Sequence, residues 1–565
     1  MDAIDREIKK RESIDEIINH FNNTWEDFEK AKQGKQVYLF GLGIGVDYYL
    51  KRYAECADLA GVIDSDKNIQ KLPARLFLPE PIVNAFDKKI TISRVEEIEY
   101  SNDKNVVLIT SLRRFEEIAN LLEQLGVHNI FALLPMEAQY RREHNGDGIY
   151  LPYEIRPSKR MLFLENIKRE PLDANKICID THYSYDGHGR AIAKELLQRQ
   201  NNLEIVWFGR YSLSVPIEDS VHYLVRDENF YIYHYICATA KVLISDGVFA
   251  NWAGKRQGQT IIEYKHWSSV TLKCFYHTLY KEYYSSEELR HEDELYNSID
   301  YILVGSKFDE ETCREGFLFD KEVVYVGSPR SDILFRDDER DNIKERLNIR
   351  NDTKILLFAP TFQVRNKTWD ETKFEFERKL DFALLKKHLE DKFGGDWLIL
   401  LRLHPLVAVH SYEVKQLSHI VDVSDYPDSQ DLVAISDIVI TDYSSIMFEP
   451  AYIRKPVFLF ATDREKYLRE DREFLIPYDT LPFLIAETNE ELAHNIENFD
   501  YEKYVRDVDA FMDKYGVHED GHASERAARF ILDLMDGKVH KGEARDALDY
   551  TVVEGGECQR SVKQH

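Results

Sequence analysis

The chain has 565 residues, is 44% apolar and carries a formal charge of −27 at neutral pH. That length exceeds what one core organises and predicts several domains, with 33 tyrosines and 30 phenylalanines to fill them. The acidic balance excludes a nucleic-acid binder, which needs clustered Lys and Arg, but leaves room for a carrier of phosphorylated small molecules with a locally basic cleft.

Residues 1–35 form an N-terminal helical segment: Ile4, Ile8, Ile14, Ile17, Ile18 and Phe21 make one apolar stripe, expected to pack on the domain that follows. The acidic start, Met1-Asp2-Ala3-Ile4-Asp5-Arg6, lacks the base and hydrophobe of a secretory signal. Cys56, Cys178, Cys237, Cys274, Cys313 and Cys558 are far apart, with no C-x-x-C pair. Both observations predict reduced thiols and a cytoplasmic location. No uninterrupted apolar run reaches transmembrane length.

Residues 36–137 read as a small Rossmann-like accessory domain. A strand, Gln36 to Phe40, enters a turn with Gly41, Gly43 and Gly45, and a second strand, Leu59 to Ile63, ends in Asp64-Ser65-Asp66. Glycines of this kind let a pyrophosphate approach a helix N-terminus while an acid meets a ribose. Val46 stands where a third Gly or Ala is expected, so Gly41, Gly43, Gly45 and Asp64 are either an accessory nucleotide site or a structural turn. Residues 138–175, broken by Gly146, Gly148, Pro152, Pro157 and Pro171, read as a linker with one short helix.

From residue 176 a new strand, Lys176 to Asp180, leads into a loop with His182 and His188. Further strands are expected at 203–208, 242–245, 260–263, 301–305 and 323–326, and this strand–helix alternation predicts a parallel sheet over 176–330. A second set follows within 331–536. Its strands end in Pro360-Thr361, in Arg402-Leu403-His404-Pro405 and in Thr441-Asp442-Tyr443-Ser444-Ser445. Open α/β sheets bind ligands at such carboxyl ends, and a hydroxyl-rich turn at a helix start offers N–H groups to an anion. The alternative for that turn is an ordinary capped helix. Residues 537–565 lack periodicity and are expected to be a mobile tail.

Five of these segments occur together in order: V-G-S-P-R-S-D-I-L (326–334), F-A-P-T-F (358–362), L-R-L-H-P (401–405), I-T-D-Y-S-S-I-M-F-E-P-A (440–451) and D-G-H-A-S-E-R (520–526). They closely resemble the CDP-glycerol glycerophosphotransferases, the teichoic-acid and capsule polymer synthases of bacteria, over roughly residues 176–536. The resemblance implies a GT-B-like pair of doubly wound Rossmann-type domains, the first (176–330) presenting the acceptor and the second (331–536) holding the donor. It implies attack of an acceptor hydroxyl on the β-phosphorus of CDP-glycerol, with release of CMP and with no cofactor required.

On this reading His266 is the catalytic base and His404 acts near the donor phosphates. Thr361, Arg402, Thr441, Asp442, Ser444, Ser445, Glu449 and Ser524 bind the donor, and Arg330 and Arg365 are candidate phosphate ligands, with Arg314, Lys321 and Lys367 as further cations of the cleft. The family usually has W-H-G-T-P around the base. This chain keeps the histidine but has Lys265, Trp267, Ser268 and Ser269 beside it, which bears on the acceptor more than on the reaction. The partners implied are a nucleotide-activated polyol and a polymer or lipid-linked acceptor, met by peripheral contact with the cytoplasmic face of the membrane, and no nucleic acid.

Two further readings stay open. One is another transferase, using a nucleotide sugar or CDP-ribitol; the other is a non-catalytic binding protein. No metal constellation stands out, since Asp64/Asp66 and Asp507/Asp509 read as solvated acids.

Overall fold

The computed structural model describes residues 2–11, 15, 23–53, 59–79, 90–98, 104–146, 149, 151, 157–181, 185–213, 217–246, 254–272, 293–361, 380–403, 420–470 and 474–555. Its α/β chain with parallel sheets divides into two compact units: Met1–Leu172 with Asp227–Thr239, and Asp173–Arg226 with Ala240–His565.

The first unit is built on a parallel sheet ordered β3-β2-β1-β4-β5, with β1 Gln36–Phe40, β2 Leu59–Ile63, β3 Ile92–Ser93, β4 Asn105–Ile109 and β5 Ile130–Ala132. Strands covered on both faces read as continuous apolar runs, and Val106 to Ile109 are fully buried. The turn after β1 needs its glycines for packing. Gly41 adopts φ +107, and a Cβ on Gly45 would lie 2.0 Å from the Thr110 carbonyl oxygen, so glycine is what lets helix Ile44–Arg52 lean on the end of β4. At the N-terminus, helix Ala3–Lys9 buries Ile4; Ile14, Ile17, Ile18 and Phe21 lie outside the described residues.

The expected linker belongs to this unit. Helices Leu133–Glu143 and Lys159–Asn166 fall within it, Asn166 donates to the carbonyls of Leu76 (3.2 Å) and Leu78 (2.9 Å), and Arg75 Nε meets Glu170 at 2.9 Å. Helix Phe230–Thr239 joins it from a distant part of the chain, with Tyr231 edge-on to Phe163 at 5.0 Å. A unit assembled from two separated segments leaves no composition break at its border, and for that reason the boundary expected near 176 is too simple.

The second unit holds two sheets. One is ordered β19-β12-β11-β10-β9-β6-β7-β8, from β6 Asp173–Asp180, β7 Glu204–Gly209, β8 Val221–Val225, β9 Ala240–Ser245, β10 Thr260–Glu263, β11 Tyr301–Val304, β12 Glu322–Tyr325 and β19 Thr551–Val553. The other, all parallel, is ordered β15-β14-β13-β16-β17-β18, from β13 Lys354–Phe358, β14 Trp397–Leu401, β15 Ile420–Asp422, β16 Ile438–Thr441, β17 Val457–Phe460 and β18 Leu484–Ala486. We call these the first and second lobes.

The lobes exchange apolar residues. Val270 and Leu272, just beyond β10, are buried in the second lobe's core, while Ala527, Ala528, Phe530 and Ile531 of helix Ala523–Met535 are buried in the first lobe's core. The expected division at residue 330 is therefore crossed twice. The tail is also not wholly mobile: β19 pairs antiparallel with β12, and Tyr550 is buried with its hydroxyl 2.9 Å from Asp533. A three-residue strand gives too short an alternation to register in the sequence.

Candidate active site

The loop after β10 is fastened through its carbonyls and hydroxyls. Arg330 Nη1 donates to the His266 carbonyl (2.6 Å), His188 Nε2 donates to the Trp267 carbonyl (2.9 Å), and the Ser306 hydroxyl donates to the Ser269 carbonyl (2.6 Å). The Trp267 indole donates to Asp309 (2.8 Å), Ser268 shares a hydrogen bond with the Tyr452 hydroxyl (2.6 Å), and Ser269 donates to Glu519. Lys265 pairs with buried Glu263 beneath the ring of Phe317. Lys265, Trp267, Ser268 and Ser269 are all buried, whereas His266 is exposed. The residues that depart from the family's W-H-G-T-P pattern are thus the ones that anchor the loop and hold the histidine outward.

His188 is held neutral. Burial, then the Arg330 charge, keeps its pKa well below the ordinary value, and its partners fix the tautomer: Nε2 faces a carbonyl and must donate, while Nδ1 faces the Arg330 amide (3.5 Å) and must accept. Glu519 lies behind the same loop, accepting from the Ser269 hydroxyl and from the Ser328 amide (3.0 Å); burial raises its pKa to about 7.

In the second lobe the carboxyl ends of β13, β14 and β16 bring Thr361, Arg402 and the Thr441–Ser445 turn to one side of the sheet, as expected for α/β ligand sites. Asp442 organises the turn, accepting from the amides of Thr361 (2.7 Å) and Tyr443 (2.6 Å); buried Thr441 donates to the Ala359 carbonyl (2.7 Å). These two residues shape the turn from inside. The Thr361 hydroxyl is buried and has no partner among the described residues. Ser444 caps the Ile446 amide (3.4 Å), and Ser445 lies 3.1 Å from the Thr271 hydroxyl, next to the loop of His266. The turn runs on into a 3-10 segment, Ser445–Met447, and a helix of only five residues, Phe448–Tyr452, so the macrodipole expected from a long helix is small here. His404 and Arg365 lie outside the described residues, as do His182 and Lys367.

Four residues singled out in the sequence, Ser524, Arg330, Arg314 and Lys321, have partners inside the protein. Ser524 is buried and donates to Asp332 (2.5 Å), whose carboxylate also accepts the Ala523 and Ser524 amides (3.0 and 2.7 Å). That helix start already has its anion, supplied by the protein itself. Arg330, expected to meet phosphate, donates from Nη1 to the His266 carbonyl and pairs through Nη2 with Glu449, a fully buried carboxylate that also accepts from Gln430 (2.9 Å). Arg314 meets Glu310 and the carbonyls of Phe319 and Lys321, and Lys321 meets the carbonyl of Ile299, at the amino ends of β11 and β12.

A charge network between residues far apart in the chain lies between the lobes. Arg190, near the start of helix Gly187–Arg199, pairs with Asp428 (3.0 Å) and Asp431 (3.5 Å) at the start of helix Ser429–Ile435; Arg346 also reaches Asp431 (3.1 Å), and Arg402 donates to the Tyr426 carbonyl (2.5 Å). Burial opposes ionisation of Asp428, but Arg190, the Gln430 amide and Arg402 outweigh it and hold the carboxyl below its usual range. Neighbouring Asp186 is pushed well above that range by burial and by the Asp428 and Asp246 charges. The available signal was the acid-turn spacing of Asp428 and Asp431 together with the loop Asp186-Gly187-His188-Gly189-Arg190.

In the first unit the glycine turn is closed on itself. Asp64 accepts the Leu42 amide (2.9 Å) and Lys159 Nζ (3.0 Å), and the Thr110 hydroxyl donates to the Phe40 carbonyl (3.0 Å). The acid that a ribose would meet is thus already engaged. Among the described residues no cluster suited to hold a metal ion is found, and Asp507 and Asp509 pair with Lys503 and Arg454.

Residues 162–533 match the family model of CDP-glycerol:poly(glycerophosphate) glycerophosphotransferases. The chain belongs to this family. It is 35% identical over 248 residues to a teichoic acid poly(glycerol phosphate) polymerase of Staphylococcus epidermidis, an alignment covering 42% of this chain and 33% of that protein. A teichoic acid ribitol-phosphate primase of Bacillus spizizenii is 29% identical over 320 residues (54% of this chain, 79% of that one). A teichoic acid poly(glycerol phosphate) polymerase of the same organism is 27% identical over 377 residues (63% and 92%). Among solved structures, the wall teichoic acid polymerase TagF superposes with a TM-score of 0.59 at 25% identity, covering 67% of this chain and 94% of that one. The glycerophosphotransferase match thus falls on the second unit and the end of the first; the glycine turn lies outside it.

Proposed function

We propose that the chain transfers a polyol-phosphate unit from a CDP-linked donor, CDP-glycerol first of all, to a hydroxyl of a cell-wall polymer, releasing CMP. The observation that carries this reading is the fastened loop that holds His266 exposed and whose far end, at Thr271, meets Ser445 of the Thr441–Ser445 turn, within the segment that matches the family. Phosphoryl transfer asks little covalent work of a protein; positioning and charge stabilisation dominate. His266 takes the proton of the attacking hydroxyl, the oxygen attacks the β-phosphorus, and CMP leaves. Arg402, His404 and the hydroxyls and amides of the turn carry the phosphate charge, so the reading assigns the reaction no metal and no resident cofactor.

The two lobes act as the acceptor and donor halves of a GT-B-like pair. No helix among the described residues is long and apolar enough to cross a membrane, and the reading places the enzyme at the cytoplasmic face, in peripheral contact with a lipid-linked acceptor. A second reading, CDP-ribitol as donor, is favoured by the similarity to the ribitol-phosphate primase at an identity close to that of the glycerol relatives. Mass analysis of products from CDP-glycerol, CDP-ribitol and a nucleotide sugar, each with a polymer acceptor, separates these. CMP release with neither CDP-polyol would sink the proposal.

A further inference from the structure

We propose that Arg330 is a positioning residue that sets where His266 stands, by tying the carbonyl of His266 in the first lobe to the buried carboxylate of Glu449 in the second. This rests on the reading of His266 as the base. One guanidinium makes both contacts: Nη1 donates to the His266 carbonyl at 2.6 Å and Nη2 pairs with Glu449. The Arg330 amide faces His188 Nδ1, and His188 Nε2 holds the next carbonyl, that of Trp267. Arg330 therefore acts on two successive carbonyls of the loop, once directly and once through a neutral imidazole.

The far end of the tie is rigid. Glu449 is fully buried, shares its carboxylate between Arg330 and Gln430, and sits in the short helix that the Ser444–Ser445 turn feeds. A shift of that turn when a donor fills it is thus transmitted to the backbone of His266 through a single side chain. A planar fork can hold a carboxylate and a carbonyl at once in fixed relative geometry; a lysine ammonium cannot. The charge of Arg330 is already matched by Glu449, which separates this role from that of a phosphate ligand.

The test uses the full chain with His266 followed by 13C NMR of its ring, alongside donor affinity by calorimetry and CMP release. Arg330→Lys keeps the charge and is expected to move the His266 ring resonance and its titration midpoint, leave donor Kd within about twofold, and lower kcat by about a hundredfold, the scale of an ångström-level misplacement. Glu449→Gln, which keeps a hydrogen-bonding group of the same shape, is expected to move the same resonance in the same direction with a smaller loss of kcat. Combining the two is expected to cost less than the product of the single losses, because they break one tie. An unmoved His266 resonance in folded Arg330→Lys overturns the proposal whatever the turnover. Loss of donor affinity in parallel with kcat also overturns it, in favour of direct phosphate binding. A moved resonance in a protein whose wild type releases no CMP upholds the tie and refutes the proposed function instead.

Discussion

Two loops at the carboxyl ends of parallel strands invite a functional reading, the glycine turn after β1 and the histidine loop after β10, and they differ in what they show to solvent once their frames are hydrogen-bonded. In the glycine turn the acid takes the free amide, Thr110 takes a carbonyl, and Gly45 is required by a helix pressed against β4. In the histidine loop the carbonyls and hydroxyls are likewise taken, yet His266 itself stands exposed between buried neighbours. A motif that resembles a site can be consumed by its own packing. The histidine loop instead leaves a titratable side chain exposed on a frame held by its own hydrogen bonds, the arrangement a functional site requires.

The sharpest break of this comparison is His266→Ala. Turnover is expected to fall by roughly two to four orders of magnitude, the range for losing a general acid or base, with donor affinity by calorimetry nearly unchanged. Equal losses in both would make His266 a donor ligand. His404→Ala is expected to cost about two orders of magnitude in steady-state CMP release, as when one transition-state hydrogen-bond donor is lost. A near wild-type rate in the folded variant would remove His404 from the donor site.

The frame can be tested by pH. Burial raises Glu519 from the ordinary 4.5 to about 7. The fold therefore favours the protonated acid: its contribution is fully present below about 4.5 and is lost as pH rises through about 7. Glu519→Gln, neutral throughout, should flatten that fall by up to about 3 kcal/mol, at roughly 1.4 kcal/mol per pK unit. Thermal or urea unfolding of both proteins across the window checks this, and parallel stability curves would contradict it.

Smaller effects belong to the glycine turn. Gly45→Ala should destabilise the first unit by about 1–3 kcal/mol, because the new methyl meets the Thr110 carbonyl oxygen, while CMP release from the folded protein stays close to wild type. A large loss of donor binding in that folded variant would show that the turn takes part in the reaction after all. Smallest of all, thorough chelation of divalent metals should leave CMP release unchanged, and a loss restored by Mg²⁺ would put a metal into the mechanism.

Much of this architecture is legible in the sequence because buried parallel strands are continuous apolar runs: Thr260 to Glu263 reads in full, and Ala240–Ser245 and Glu204–Gly209 within two residues. The turn after β16 and the loop after β10 that carries His266 are legible as strand-end loops because that pattern is local. What stays hidden depends on partners far along the chain. Arg190 and Asp428 are 238 positions apart, and Ser524 and Asp332 are 192 apart. Before the fold is known, a serine at a helix start cannot announce that an internal carboxylate already fills its place, nor can Arg330 show that it pairs with Glu449, 119 positions away. The excursion 227–239 and the short β19 escape for the same reason, their stability coming from contacts with distant elements and not from local pattern.

The exchange of Val270 and Leu272 for the face of helix Ala523–Met535 makes each lobe the keeper of part of its neighbour's interior. Neither half of the second unit is then a self-contained fragment. Synthesised alone, a chain ending near residue 330 would leave the first lobe without the helix that seals its sheet, and one beginning there would leave a gap where Val270 and Leu272 belong. Separated halves should be insoluble alone and regain a folded state when produced together, so that complementation of fragments, not activity, reports whether the lobes are built as one piece.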